Sequence, residues 1–211
     1  MLSNQGFDMW ADDYDKSVNA ADEDDMYPFA GYKELMNNIY NTIMKMPPCK
    51  ILDIGIGTGT LSTKLYESGN EITGIDFSDK MLEITKNKMP KAKLIQFDFT
   101  KGLPHEINGE KFDFIVSTYA LHHLTDDEKI VFIKSLLNHV TEAGSIIIGD
   151  VSFLNKDEMT KCQELSGDEW DDEEFYFVFS EIKNELESVC DPVYHQISHC
   201  AGIMEIKVRG K

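Results

Sequence analysis

The run Lys50-Ile51-Leu52-Asp53-Ile54-Gly55-Ile56-Gly57-Thr58-Gly59-Thr60 decides the fold class. A short apolar stretch ends in glycines, and residues 61–68 follow with helical spacing, so the segment reads as strand, tight loop and helix. Glycines let the backbone turn sharply and approach a ligand, with the N–H groups of the helix terminus facing it. A dinucleotide site uses G-x-G-x-x-G and holds a pyrophosphate on that terminus. Here the spacing is G-x-G-x-G, and Thr60 stands where the third glycine would fall. Asp53 also precedes the loop. A carboxylate there would repel a pyrophosphate and attract a cation. The loop points to a positively charged ligand without phosphates.

Outward from this run, strand and helix alternate. Residues 71–76 predict a second strand, 80–88 a helix with Pro90 beyond it, and 93–97 a third strand ending at Asp98. A fourth strand is expected over 112–117. The 3.6-residue rhythm predicts a helix over 125–140, opened by a capping box of Thr125 and Glu128. Residues 145–149 are apolar in their centre, as in a strand covered on both faces. Crossover helices make these five strands parallel neighbours. Before them, residues 32–46 predict a helix stopped by Pro47 and Pro48, and after them Ser180 is expected to cap a helix reaching about Val189. Two further strands, over 192–198 and 202–208, are separated only by His199, Cys200 and Ala201. That gap is too short for a crossover, so they form a hairpin with one strand antiparallel to the sheet. The expectation is an α/β, doubly wound, seven-stranded sheet, mostly parallel, with an antiparallel strand in its C-terminal hairpin.

Composition limits the partners. The 211 residues are 42% hydrophobic and 27% charged, the profile of a soluble globular chain, and no apolar run is long enough for a membrane span. The first residues lack the basic start and apolar stretch of a signal peptide. Four cysteines (Cys49, Cys162, Cys190, Cys200) show no C-x-x-C spacing and read as reduced thiols of a cytoplasmic protein. A formal charge of −18 argues against a nucleic-acid groove. The charge is concentrated at 1–31, net −7, and at 157–187, net −10. Solvated faces would account for both segments. Over the carboxyl edge of the sheet they would instead form a negative rim, suited to small neutral or cationic ligands.

Acids also mark the strand ends. Asp76 ends the second strand, where an acid can accept both ribose hydroxyls of a nucleoside. Asp98 ends the third, placed to accept from an adenine amine, and Ser117-Thr118-Tyr119-Ala120 follows the fourth. Through Leu52–Thr60, Gly74-Ile75-Asp76-Phe77-Ser78, Asp98 and Ser117-Thr118-Tyr119-Ala120-Leu121-His122-His123-Leu124, residues 48–153 resemble the class I S-adenosylmethionine-dependent methyltransferases. The start, Trp10-Ala11 with Tyr14-Asp15, is similar to small bacterial members whose N-terminal tyrosine closes over the cofactor. The resemblance implies S-adenosyl-L-methionine as cofactor, with Gly55 and Gly57 at its methionine part and Asp53 near its ammonium. It further implies Tyr14 near the carboxylate, Asp76 on the ribose, and Asp98 with Phe99 around the adenine. Phe77, Ser117 and Tyr119 complete the expected cofactor residues. It makes residues 1–211 one domain: flap and helix (1–46), cofactor core (48–153), acidic insert and helix (154–190), and hairpin (191–211).

Methyl transfer from a sulfonium is an in-line displacement, in which the protein aligns the partners and excludes water. A base is needed only if the acceptor must lose a proton. His122 and His123 are the candidates, against packing and backbone hydrogen bonding as the structural account. Asp150 would bind a cationic acceptor or cap the next segment. Tyr27, Tyr32 and Tyr176 would wall the pocket or simply pack. His195 and His199, about 13 Å apart on an extended chain, could not share a metal, and no metal site is expected. The leading reading is a methyltransferase for a small-molecule acceptor, neutral or cationic, with no nucleic acid or membrane partner. A NAD-dependent oxidoreductase, a non-catalytic cofactor-binding protein, and a protein- or RNA-modifying enzyme are the competing readings.

Overall fold

Alternate residues of the central strands are buried on opposite faces, so helices must cover both sides of the sheet. The computed structural model describes residues 26–46 and 48–209, and Tyr14, with nearly all of the expected flap, lies outside them. Helix α1 (Tyr32–Ile43) leads into β1 (Lys50–Ile54), α2 (Thr60–Glu67), β2 (Glu71–Asp76), α3 (Asp79–Lys88) and β3 (Lys93–Gln96). Then come β4 (Phe112–Thr118), α4 (Asp126–Leu136), β5 (Val140–Phe153), α5 (Lys156–Ser166), β6 (Phe177–Val178), α6 (Phe179–Leu186), β7 (Cys190–Gln196) and β8 (Ala201–Val208).

The strand order is β3-β2-β1-β4-β5-β8-β7, with β6 paired to β5 off this path. Strands β1 to β5 run parallel. Strand β8 runs antiparallel to both β5 and β7, as the short hairpin requires. The two-residue β6 adds an eighth strand that the sequence does not announce. The order reverses between β1 and β4, and an open α/β sheet leaves a crevice at such a switch point.

Two apolar layers hold the sheet. On one face Ile51 and Ile147 pack with Leu35, Ile39 and Ile43 of α1. On the other, Leu52, Ile146 and Ile148 pack with Ile133 and Leu136 of α4 and Ile182 of α6. The alternation of Ile146, Ile147 and Ile148 between faces is the period-2 geometry of a strand buried on both sides.

Three expectations are corrected. The helix expected to reach Val140 ends at Leu136, and Val140 begins β5, because the last apolar residues of the helical rhythm belong to the strand. Strand β5 extends to Phe153, well past Gly149, because β8 pairs along it to Val151 and β6 pairs at Ser152 and Phe153. Ser180 is not a cap. Val178 holds that position without a side-chain bond, and the backbone N–H of Ser180 donates to the Leu154 carbonyl at 3.1 Å. The capping box at Thr125 and Glu128 is present as expected.

Gly144 sits where β5 passes β4, beside a shift of register between Phe112 and Phe114. A Cβ there would stand 2.4 Å from the Asp113 carbonyl oxygen, a backbone atom with no rotamer to yield. Gly144→Ala is expected to lower stability by about 1–3 kcal/mol, the usual range for overpacking, read from the midpoint of urea unfolding.

Candidate functional site

The loop after β1 is built from left-handed glycines. Gly55 (φ 71), Gly57 (φ 53) and Gly59 (φ 74) take a conformation that costs other residues energy. Contacts to β2 fix the loop. The N–H groups of Gly55 and Ile56 both donate to the Ile75 carbonyl, at 2.8 and 3.0 Å. Gly57 N–H donates to Asp76 Oδ2 at 2.8 Å, and Ser78 N–H donates to Asp76 Oδ1 at 2.9 Å. Thr85 of α3 donates to the Gly57 carbonyl at 2.7 Å. A Cβ at Gly55 would meet that of Ala120 at 2.5 Å, whereas one at Gly57 would meet nothing within 4 Å. Gly57 therefore faces open space.

That space is a cleft of about 720 Å³, partly open to solvent, at the switch point between β1 and β4. Asp53, Gly55, Gly57, Asp76, Phe77 and Phe99 line it, as the sequence placed them. Tyr119 and His123 line the side after β4, facing Tyr32 and Met36 of α1. Tyr119 is a non-glycine residue at φ 48, held there by its N–H donating to the Gly149 carbonyl at 2.9 Å. Its ring lies 5.3 Å from those of Phe29 and Tyr32. Backbone strain of this kind concentrates where a side chain must be aimed.

Three expected site residues stand back from the cleft. Ser117 donates its hydroxyl to the Ile54 carbonyl at 2.9 Å, inside the sheet. Asp98 opens a 3-10 turn, accepts from Thr100 Oγ1 at 2.6 Å and pairs with Lys101 at 3.0 Å. Burial pushes its pKa upward, but Thr100 and Lys101 outweigh that and hold it below the usual carboxylate range. His122 is the third.

Asp53 is 2% exposed. Ser62 donates to its Oδ2 at 2.5 Å, while Oδ1 meets no hydrogen-bond partner among the described residues. Desolvation raises its pKa to about 7, with the Ser62 bond acting against the rise and the Asp76 charge adding to it. A buried, half-satisfied carboxylate in a cleft suits a cationic ligand group.

A second cluster adjoins the cleft. Asp150, 1% exposed, accepts from Leu121 N–H at 3.1 Å and Val151 N–H at 2.8 Å, and its Oδ1 lies 2.6 Å from His122 Nδ1. It lies within β5 and takes the first backbone N–H of the 3-10 turn Leu121–His123. Burial opposes a charge on His122, but Asp150 and then Glu174 overcome this and raise its pKa above the ordinary value. The His123 ring sits 4.4 Å from that of His122, and Glu174 Oε2 lies 3.1 Å from His123 Nδ1. Behind this cluster Tyr27 stacks on Trp170 and Tyr176 meets both rings edge-on, the two phenol hydroxyls sharing a hydrogen bond. Packing and pocket wall thus coincide for Tyr32, while Tyr27 and Tyr176 serve the wall's support.

Sequence reasoning left Glu174 among the solvated acids. Nothing in the run Asp171-Asp172-Glu173-Glu174 marks its last member as the one turned inward. Met36 and Met81, also on the lining, carried only their helical spacing.

A glycine loop at a switch point, tied to a strand-end acid, defines a Rossmann-like cofactor-binding protein. A profile of the family described as "Methyltransferase domain" matches residues 51–144. An uncharacterized methyltransferase of Bacillus mycoides is 37% identical over 162 residues, covering 76% of this chain and 72% of that protein. The chain belongs to this family, among the S-adenosylmethionine-dependent methyltransferases. Solved structures agree on the fold. An S-adenosylmethionine-dependent methyltransferase of Clostridium acetobutylicum matches with a TM-score of 0.70 at 17% identity, covering 93% of this chain and 99% of that one. The magnesium protoporphyrin IX methyltransferase of Synechocystis, with bound S-adenosylhomocysteine, matches with a TM-score of 0.66 at 19% identity, over 86% of this chain and 85% of that one.

Because the Asp53 pKa is higher folded than unfolded, its ionisation opposes folding. The penalty is absent below about pH 4, grows to about pH 7 and is complete above it. Asp53→Asn is therefore expected to gain stability relative to the parent across that interval, by at most about 4 kcal/mol. Paired urea titrations at pH 4.5 and pH 8 check this.

Proposed function

We propose that the chain transfers the methyl group of S-adenosylmethionine to a small neutral or cationic acceptor in the cytoplasm. The single observation that carries the cofactor assignment is the buried, unpartnered Oδ1 of Asp53 beside an open Gly57. A carboxylate in that state fits the ammonium of the methionine part, and no phosphate accompanies it. Asp76, fixed by the backbone N–H groups of Gly57 and Ser78, holds the ribose. Phe77 and Phe99 flank the adenine, and Asp98 acts behind Phe99 by fixing the turn that carries it. Ser117 supports the floor. Tyr14 remains assigned to the cofactor carboxylate.

The bound cofactor supplies a methyl carbon already activated by the sulfonium. What the chain adds is alignment and exclusion of water. Tyr32, Met36, Tyr119 and His123 form the side of the cleft assigned to the acceptor. Of the two histidines, His123 is the one on the lining, while His122 is held by Asp150 behind it. The aromatic walls of Tyr32 and Tyr119 support a small acceptor. A neutral or cationic one follows from Asp171, Asp172 and Glu173, exposed at the segment that Tyr27 ties in by accepting from Asp171 N–H at 3.2 Å. No helix among the described residues is long and apolar enough to cross a membrane. The four free, buried cysteines accord with a reducing compartment.

Calorimetry with S-adenosylhomocysteine tests the cofactor assignment. Affinity is expected to rise between pH 6 and pH 8, as the Asp53 carboxylate ionises to meet the ligand ammonium. Asp53→Asn should flatten that dependence, and Asp76→Ala should weaken binding at least about tenfold through loss of charge-assisted hydrogen bonds. No binding by the parent chain at any of these pH values refutes the assignment.

A further inference from the structure

Glu174 Oε2 is buried among nitrogens yet makes no hydrogen bond among the described residues. It lies 3.1 Å from His123 Nδ1 and 3.5 Å from His122 Nε2, and neither ring is aligned to donate to it. All three ligand atoms fall within 4.8 Å of one another. For metal–ligand bonds of about 2.1 Å, neighbouring ligands stand about 3.0 Å apart in an octahedron and about 3.4 Å apart in a tetrahedron. The separations of 3.1 and 3.5 Å are of that order, so small side-chain shifts would bring the three atoms around one ion. We propose that His122 Nε2, His123 Nδ1 and Glu174 bind one divalent transition-metal ion beside the cleft.

The surroundings favour it. Asp150 holds the other nitrogen of His122, at 2.6 Å, and is itself fixed by two backbone N–H groups. A proton kept on Nδ1 leaves the Nε2 lone pair turned outward, the arrangement found behind metal-bound histidines. The two carboxylates of Asp150 and Glu174 balance a doubly charged ion, while Lys129, held by Asp126 at 2.9 Å and by the Phe175 carbonyl, is the nearby charge that opposes it. Two imidazoles with one carboxylate select zinc, cobalt, iron or manganese over magnesium or calcium. Three protein ligands leave a coordination position free, and His123 also lines the cleft. The ligand class admitted there is an acceptor oxygen, hydroxyl or carboxylate, bound beside the methyl donor. This last consequence rests on the methyltransferase reading, whereas the ion site does not.

The test uses the full chain, stripped with a chelator and titrated with zinc chloride by calorimetry. One equivalent is expected, at micromolar dissociation constant or tighter, with little response to magnesium. Cobalt in place of zinc should give visible absorption bands of a nitrogen-ligated ion. Glu174→Gln and His123→Ala should each weaken zinc binding at least about tenfold, and Asp150→Asn about 10–100-fold. A proton on His122 Nε2 is the rival occupant. Failure of the parent chain to take up zinc, or uptake that Glu174→Gln and His123→Ala leave unchanged, overturns the proposal. Thermal shift with S-adenosylhomocysteine, run on the same stripped protein, reports separately on the cofactor cleft. A ligand shift without zinc uptake ends only the metal proposal, and zinc uptake without a ligand shift ends only the methyltransferase reading.

Discussion

One carboxylate joins the parts that make the cleft. Asp76 ends β2, accepts from Gly57 on the loop after β1, and accepts from Ser78 at the start of α3. Both bonds run from backbone donors to a buried charged acceptor, which makes them shorter and stronger than neutral ones. Neither the loop nor the helix start can shift alone while both are made. The Ile75 carbonyl, taking two N–H groups from the same loop, closes the other side of this frame. The geometry of the cleft is thus written into strand β2 as much as into the glycines.

The protein tolerates a conflict to keep the site. Asp53 would be cheaper as asparagine or as a group left in water, because burial without full hydrogen bonding penalises its charge. Tyr119 carries a second strain in its left-handed backbone. Both lie on the cleft, whereas the apolar layers on either side of the sheet show ordinary packing. Features that burden folding at one place, with consistency elsewhere, are how a functional site announces itself.

The sheet was legible because its signals are local. Apolar runs ended by glycine or acid located β1 to β4 closely, and the brevity of the gap at His199 forced the hairpin. The ends of elements were less legible. At Val140 a helical rhythm continued by chance into a strand, and at Ser180 a good capping residue fell two positions past the cap. The lining of the cleft after β1 and β2 was equally readable, since its residues sit at strand ends whose place in the sheet follows from order. The histidine cluster was not. His122 and His123 drew notice by type, but Asp150 and Glu174 reach them through tertiary packing, across 28 and about 50 residues of chain, and no spacing rule covers that. Ser117 shows the converse, a residue correctly placed at a strand end whose side chain turned into the sheet.

The phenol pair of Tyr27 and Tyr176 spans 149 residues. Closing so long a loop is entropically costly until the intervening sheet is already assembled. Such a clasp closes once the segment carrying Trp170 is in place, since both phenol rings rest against that indole. The wall behind the histidines is therefore shared by two distant stretches of chain, so that loss of either phenol loosens the hold on both.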